Sequence, residues 1–126
     1  MAGISRLEHV GIGASRTKFE ETVRFYQRAF GWHIVRETPG VLAFVGDGSG
    51  GRIEILPDDA PPLARPHHLA FSVPMSEFDR TISALRDAGA GVEAPTTNAV
   101  GDRLCFFTDP AGNRAQIVAR TEALAP

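Results

Sequence analysis

Residues 7–26 open with Leu7-Glu8-His9-Val10-Gly11-Ile12 and continue, after a short break, as Thr17-Lys18-Phe19-Glu20-Glu21-Thr22-Val23-Arg24-Phe25-Tyr26. The first run alternates apolar with small or polar residues, as a strand does when its two faces meet different surroundings. In the second, Phe19, Val23, Tyr26 and Phe30 fall at i, i+4, i+7 and i+11, the stripe of an amphipathic helix that Gly31 stops. Thr17 and Glu20 have the spacing of a capping box, in which hydroxyl and carboxylate each accept from an orphan N–H of the first turn. The same order returns 59 positions on: His9 meets His68, Thr17 meets Ser76, Phe19 meets Phe78, Glu20 meets Asp79, Val23 meets Ile82 and Tyr26 meets Leu85. Toward the end of each half the offset becomes 62, where Gly51-Arg52-Ile53-Glu54-Ile55 matches Asn113-Arg114-Ala115-Gln116-Ile117. A three-residue difference in one loop accounts for the drift. The ordered, chemically matched set identifies a duplication.

Each half then predicts one βαβββ unit. In the first, strands fall at Arg6–Gly13, Trp32–Glu37, Val41–Gly46 and Gly51–Leu56, with Pro39-Gly40 and Gly46–Gly51 as turns. In the second, strands fall at His67–Val73, Gly91–Ala94, Arg103–Thr108 and Arg114–Ala119. Its helix spans about Glu77–Ala88, with Ser76 as N-cap and Gly89 as stop. The expected architecture is α+β: a single domain over 1–126 with module one at about 4–56, a linker at 57–66 and module two at about 67–120. Four prolines between Pro57 and Pro66 make that linker stiff.

Bulk composition narrows the function classes. At 126 residues, 43% hydrophobic and 22% charged, the chain has the make-up of a soluble globular domain. A net charge of −2, with scattered basic residues, gives no surface for nucleic acid or membrane. The single Cys105 cannot form an intrachain disulfide and reads as a small buried hydrophobe, so a cytoplasmic location is expected. The sequence shows neither a signal-peptide pattern nor a run long enough to span a bilayer.

Strand parity places the chemistry. Val10 and Ile12 point to one face, whereas His9 shares the other with Leu7 and Gly11. Leu69, Phe71 and Val73 point one way, and His68 shares the other with Ala70 and Ser72. Glu54 lies between Ile53 and Ile55, and Gln116 between Ala115 and Ile117. The aliphatic rows are what the helices would cover, leaving two imidazoles, a carboxylate and an amide on the opposite faces among small neighbours. A lone strand histidine is most often a hydrogen-bonded core or edge residue, and a lone glutamate faces solvent. Recurrence of both pairs at equivalent repeat positions instead favours a shared metal ion, which supplies partners to buried polar groups. His67, of opposite parity, and His33, beside Trp32 after the helix, read as structural or surface residues.

The pattern Leu7-Glu8-His9-Val10-Gly11-Ile12, Ile53-Glu54-Ile55, His67-His68-Leu69-Ala70-Phe71 and Asp109-Pro110-x-Gly112-Asn113-x-x-Gln116 resembles the vicinal oxygen chelate superfamily, over about Ile4 to Arg120. That superfamily includes glyoxalase I, extradiol dioxygenases, fosfomycin-resistance thiol transferases, methylmalonyl-CoA epimerase and bleomycin-resistance proteins. The resemblance implies a glyoxalase-like fold, its paired modules forming a curved mixed sheet around a cleft. It further implies a divalent metal (Zn, Ni, Mn or Fe), a small-molecule substrate that chelates it through neighbouring oxygens, and a homodimer with sites shared between subunits. The implied ligands are His9, Glu54, His68 and Gln116.

Gln116 departs from the family pattern, which usually has Glu there. That argues against the dioxygenase and fosfomycin branches, which use two His and the final Glu as a three-ligand face. It also removes the proton-transferring base of glyoxalase I, since an amide takes no proton. The epimerase branch has the same donor composition with amide and acid exchanged between halves. Glu54 is then the one acid among the four, ligand and base together. With one carboxylate a divalent ion keeps a charge near +1, holding less tightly but polarising a substrate oxygen more strongly. The resulting expectation is a metal-dependent glyoxalase-like enzyme of lyase or isomerase type, moving a proton on a small oxygen-chelating substrate. The alternative is a non-catalytic, bleomycin-resistance-like binding protein, against which the retained histidine pair counts. Trp32, Phe44, Phe106 and Phe107 are the aromatic residues that could line the pocket.

Overall fold

A computed structural model of the chain describes Gly3, residues 7–62 and residues 68–126. It divides into two compact units, Met1–Ala60 and Pro61–Pro126, the boundary falling in the proline-rich linker. Arg6 and His67, which the spacing puts in the first strand of each half, lie outside the described residues.

Unit one runs β1 (Val10–Ala14), α1 (Phe19–Phe30), β2 (His33–Thr38), β3 (Leu42–Gly46) and β4 (Arg52–Pro57). Its sheet has the order β1-β4-β3-β2, with β1 parallel to β4 and the other pairs antiparallel. The chain must cross from one end of the sheet to the other to pair β1 with β4, and α1 is part of that crossover. The helix packs on β3 and β4. Phe19, Val23 and Tyr26 of the expected stripe are buried, with Phe25, Ala43, Val45, Ile53 and Ile55, whereas Phe30 at its end is half-buried. Gly31 takes φ +67° and its N–H donates to the Gln27 carbonyl, closing the helix.

Unit two repeats the plan with β5 (Leu69–Ser72), α2 (Phe78–Asp87), β6 (Gly91–Val92), β7 (Thr96–Thr97), β8 (Arg103–Thr108) and β9 (Arg114–Ala119). Here β5 is parallel to β9, and β9 is antiparallel to β8, which pairs in turn with β6 and β7. Phe78, Ile82 and Leu85 of α2 are buried, as are Cys105, Phe107, Ala115 and Ile117. Cys105 donates to the Glu93 carbonyl at 3.3 Å, and burial pushes its thiol pKa up, so it behaves as a packed side chain.

Two local expectations do not hold. No capping box forms: α1 starts at Phe19 behind Lys18, no side chain caps it, and the Thr17 hydroxyl lies 3.3 Å from that of Ser15. Ser76 does not cap α2 either, because Met75–Glu77 wind into a 3-10 turn that leads into the helix. The two-residue β7 was not anticipated.

Candidate metal ligands on matched strands

Both histidines stand one residue before their strands, since β1 starts at Val10 and β5 at Leu69. The registers that follow are equivalent. In unit one Gly11 lies opposite Glu54, and Phe44 of β3 lies opposite Glu54 on its other side. In unit two Ala70 lies opposite Gln116, and Phe106 of β8 flanks it. Each histidine meets its own phenylalanine edge to face, His9 with Phe44 at 5.2 Å and His68 with Phe106 at 5.3 Å between ring centroids. The histidine, the donor on the neighbouring strand and the aromatic ring one strand further on thus form one constellation, built twice. Of the four aromatic candidates, Phe44 and Phe106 stand beside the histidines. Phe107 is fully buried in the opposite row, and Trp32 packs against Phe30.

Unit one shows the chemistry most directly. The Nδ1 of His9 lies 2.9 Å from Glu8 Oε1, and its Nε2 faces Glu54 Oε1 at 3.7 Å. An ionised carboxylate only accepts, so the Glu8 contact puts a proton on Nδ1. In the neutral ring Nε2 is then a lone pair aimed at another lone pair, at a distance too long for a hydrogen bond. A positive charge there, a proton on Nε2 or a bound cation, would complete the arrangement. A divalent cation would be held there by His9 and Glu54, since an imidazole and a carboxylate are ordinary ligands of such an ion. The His9 and Glu54 side chains are 33% and 17% exposed, so the gap is open to an ion from solvent. Gly11 leaves the adjoining space clear, since a Cβ there would lie 3.8 Å from Glu54 Oε1.

In unit two Gln116 is buried, at 7% exposed, and His68 is exposed. The Arg114 guanidinium lies 3.7 Å from the centre of the Phe106 ring and donates twice to the Glu93 carboxylate, at 3.1 Å each. This pairing lowers the Glu93 pKa through the Arg114 hydrogen bond and raises that of Arg114. Its counterpart Arg52 instead donates to the Glu8 carbonyl at 3.0 Å. Sequence reading missed Glu8 and the two arginines. Among the described residues no three His, Cys, Asp or Glu side chains gather closely enough to hold a metal.

Two four- to five-stranded mixed sheets, each with one helix and a parallel edge strand, define a tandem βαβββ protein of the glyoxalase-like fold. Residues 6–117 match the family model of the Glyoxalase/Bleomycin resistance protein/Dioxygenase superfamily, and the chain belongs to that superfamily. A variant of the fosfomycin resistance protein FosX from Listeria monocytogenes, complexed with Mn(II) and 1S,2S-dihydroxypropylphosphonic acid, is 20% identical. The match covers 94% of this chain and 92% of that one, with a TM-score of 0.81. Lactoylglutathione lyase from Agrobacterium tumefaciens is also 20% identical, over 94% of this chain and 96% of its own, with a TM-score of 0.72. A glyoxalase family protein from Enterococcus faecalis reaches 26% identity over 90% and 96%, with a TM-score of 0.72. No curated protein matches in sequence. No described helix is long and apolar enough to cross a membrane.

Proposed function

We propose that this chain is a metal-dependent enzyme of lyase or isomerase type that moves a proton on a small substrate with neighbouring oxygens. His9, Glu54, His68 and Gln116 are its ligands. The facing of His9 Nε2 and Glu54 Oε1 at 3.7 Å, with Nδ1 already occupied by Glu8, carries the reading. A divalent ion bound there would act as a Lewis acid on the substrate oxygens. Glu54 is the group able to take a proton from the carbon next to a carbonyl, and Gln116 can only orient through its amide. Phe44 and Phe106 give each histidine an apolar, edge-to-face neighbour. The Mn(II) in the FosX neighbour supports a divalent ion in this fold. We read the working form as a cytoplasmic homodimer with sites shared between subunits.

The test is metal content followed by activity. Purified protein should carry about one divalent ion per subunit, as a four-donor site predicts, and His9→Ala or His68→Ala should lose it. Substrates should begin with the hemithioacetal of methylglyoxal and glutathione, with Ni, Zn and Mn supplied in turn. A wild type that takes up no metal, yet still binds small oxygen-rich ligands, would sink the enzyme reading in favour of sequestration.

A further inference from the structure

The two halves are matched in register at the donors. In unit one Glu8 holds His9 Nδ1 at 2.9 Å, and the Glu8 carbonyl is itself held by Arg52 at 3.0 Å. The residue equivalent to Glu8 in module two is His67, and the arginine equivalent to Arg52 turns instead to Glu93. In the half that carries Glu54, a carboxylate thus stands behind the ligand-bearing imidazole. A carboxylate hydrogen-bonded to Nδ1 fixes the ring's tautomer and orientation, and it makes Nε2 the more basic donor.

We infer that Glu8 is a positioning residue that aims the His9 Nε2 lone pair at the site. Through the ring it also supplies the second negative charge that Gln116 does not bring. The inference rests on the metal reading above. Gln116 leaves one carboxylate among the four donors, and Glu8 stands one imidazole away as the next. Its side chain is 73% exposed, so its removal should leave the fold intact. The contact also depends on where β1 begins. Neighbours within a strand point to opposite faces, whereas Glu8 and His9 both precede Val10 and can meet.

Two measurements on the full chain test it. Long-range 15N–1H NMR of the metal-free, 15N-labelled protein, at about pH 8 where a histidine is ordinarily neutral, reads which nitrogen of His9 carries the proton. The wild type should show it on Nδ1, Glu8→Ala should shift it to Nε2, and Glu8→Gln should keep it on Nδ1 through the amide oxygen. Titration with Co(II), followed by its visible absorption, should show affinity falling about 10- to 100-fold in Glu8→Ala. In a Gln116→Glu background the same substitution should weaken Co(II) binding less. An unchanged His9 tautomer in Glu8→Ala would overturn the inference, as would Co(II) affinity equal to wild type. In that second case the metal reading survives, whereas a wild type that takes up no Co(II) sinks both.

Discussion

Thr22 is fully buried in α1, and among the described residues its hydroxyl oxygen is the buried side-chain atom without a hydrogen-bond partner. Its neighbours on that face, Phe19, Phe25 and Tyr26, are buried too. Thr22→Val replaces the hydroxyl with a methyl of nearly the same shape. An unsatisfied buried hydroxyl costs about 1–3 kcal/mol, and Val and Thr differ little in helix propensity, so a gain of about 1–2 kcal/mol is expected. With an unfolding entropy of about 2.1 cal/mol/K per residue, a cooperative 126-residue chain gains about 4 °C in Tm per kcal/mol. Differential scanning calorimetry of metal-free protein should therefore place Thr22→Val about 4–8 °C above wild type. Thr22→Ser, which keeps the hydroxyl and deletes the methyl, should fall below it. If Val gave no gain, or Ser and Val moved together, the hydroxyl would not be the source of the cost.

Other outcomes follow from single contacts. Gly112 has φ +91° in the Asp109–Asn113 turn, and a Cβ there would meet Pro62 Cγ at 3.1 Å. Gly112→Ala should therefore lose about 1–3 kcal/mol in urea unfolding. Asp102 accepts from Thr121, Asn98 and Arg120, and the Thr121 backbone bond is the first cause of a pKa held below the ordinary 3.8. A depressed folded value means that its contribution is complete above 3.8 and is lost as pH falls through that lower value. The gap in urea midpoint between wild type and Asp102→Asn should be open at about pH 5 and narrow as the pH falls below 3.8.

The repeat was legible because each half buries the same faces. The stripe Phe19, Val23, Tyr26 and the rows around Glu54 and Gln116 are where alternation and helical period predict them. The bounds expected for Arg103–Thr108 and Arg114–Ala119 match β8 and β9, strands tied on both sides. The strands β1 and β5, each paired with one neighbour among the described residues, are shorter than expected and leave His9 and His68 just outside. β7 could not be read, since two residues after Pro95 carry no period. The caps failed for a different reason: Lys18 has near-helical φ and ψ, so no extended residue stands where the hydroxyl was expected to cap. Of the proposed site, His9, Glu54, His68 and Gln116 were picked out as residue types at matched offsets. Glu8 was not, because contact between sequence neighbours is invisible to a periodicity argument.

The parallel pairing of first and last strands also sets how each half must close in folding. Val10 pairs with Ile53 and Leu69 with Ala115, so the two modules tie loops of about 43 and about 46 residues. The entropic difference between those closures is about 0.06 kcal/mol, far below thermal energy. A three-residue insertion after duplication was therefore thermodynamically silent, and the halves could drift in loop length while the pairs Gly11–Glu54 and Ala70–Gln116 stayed in step.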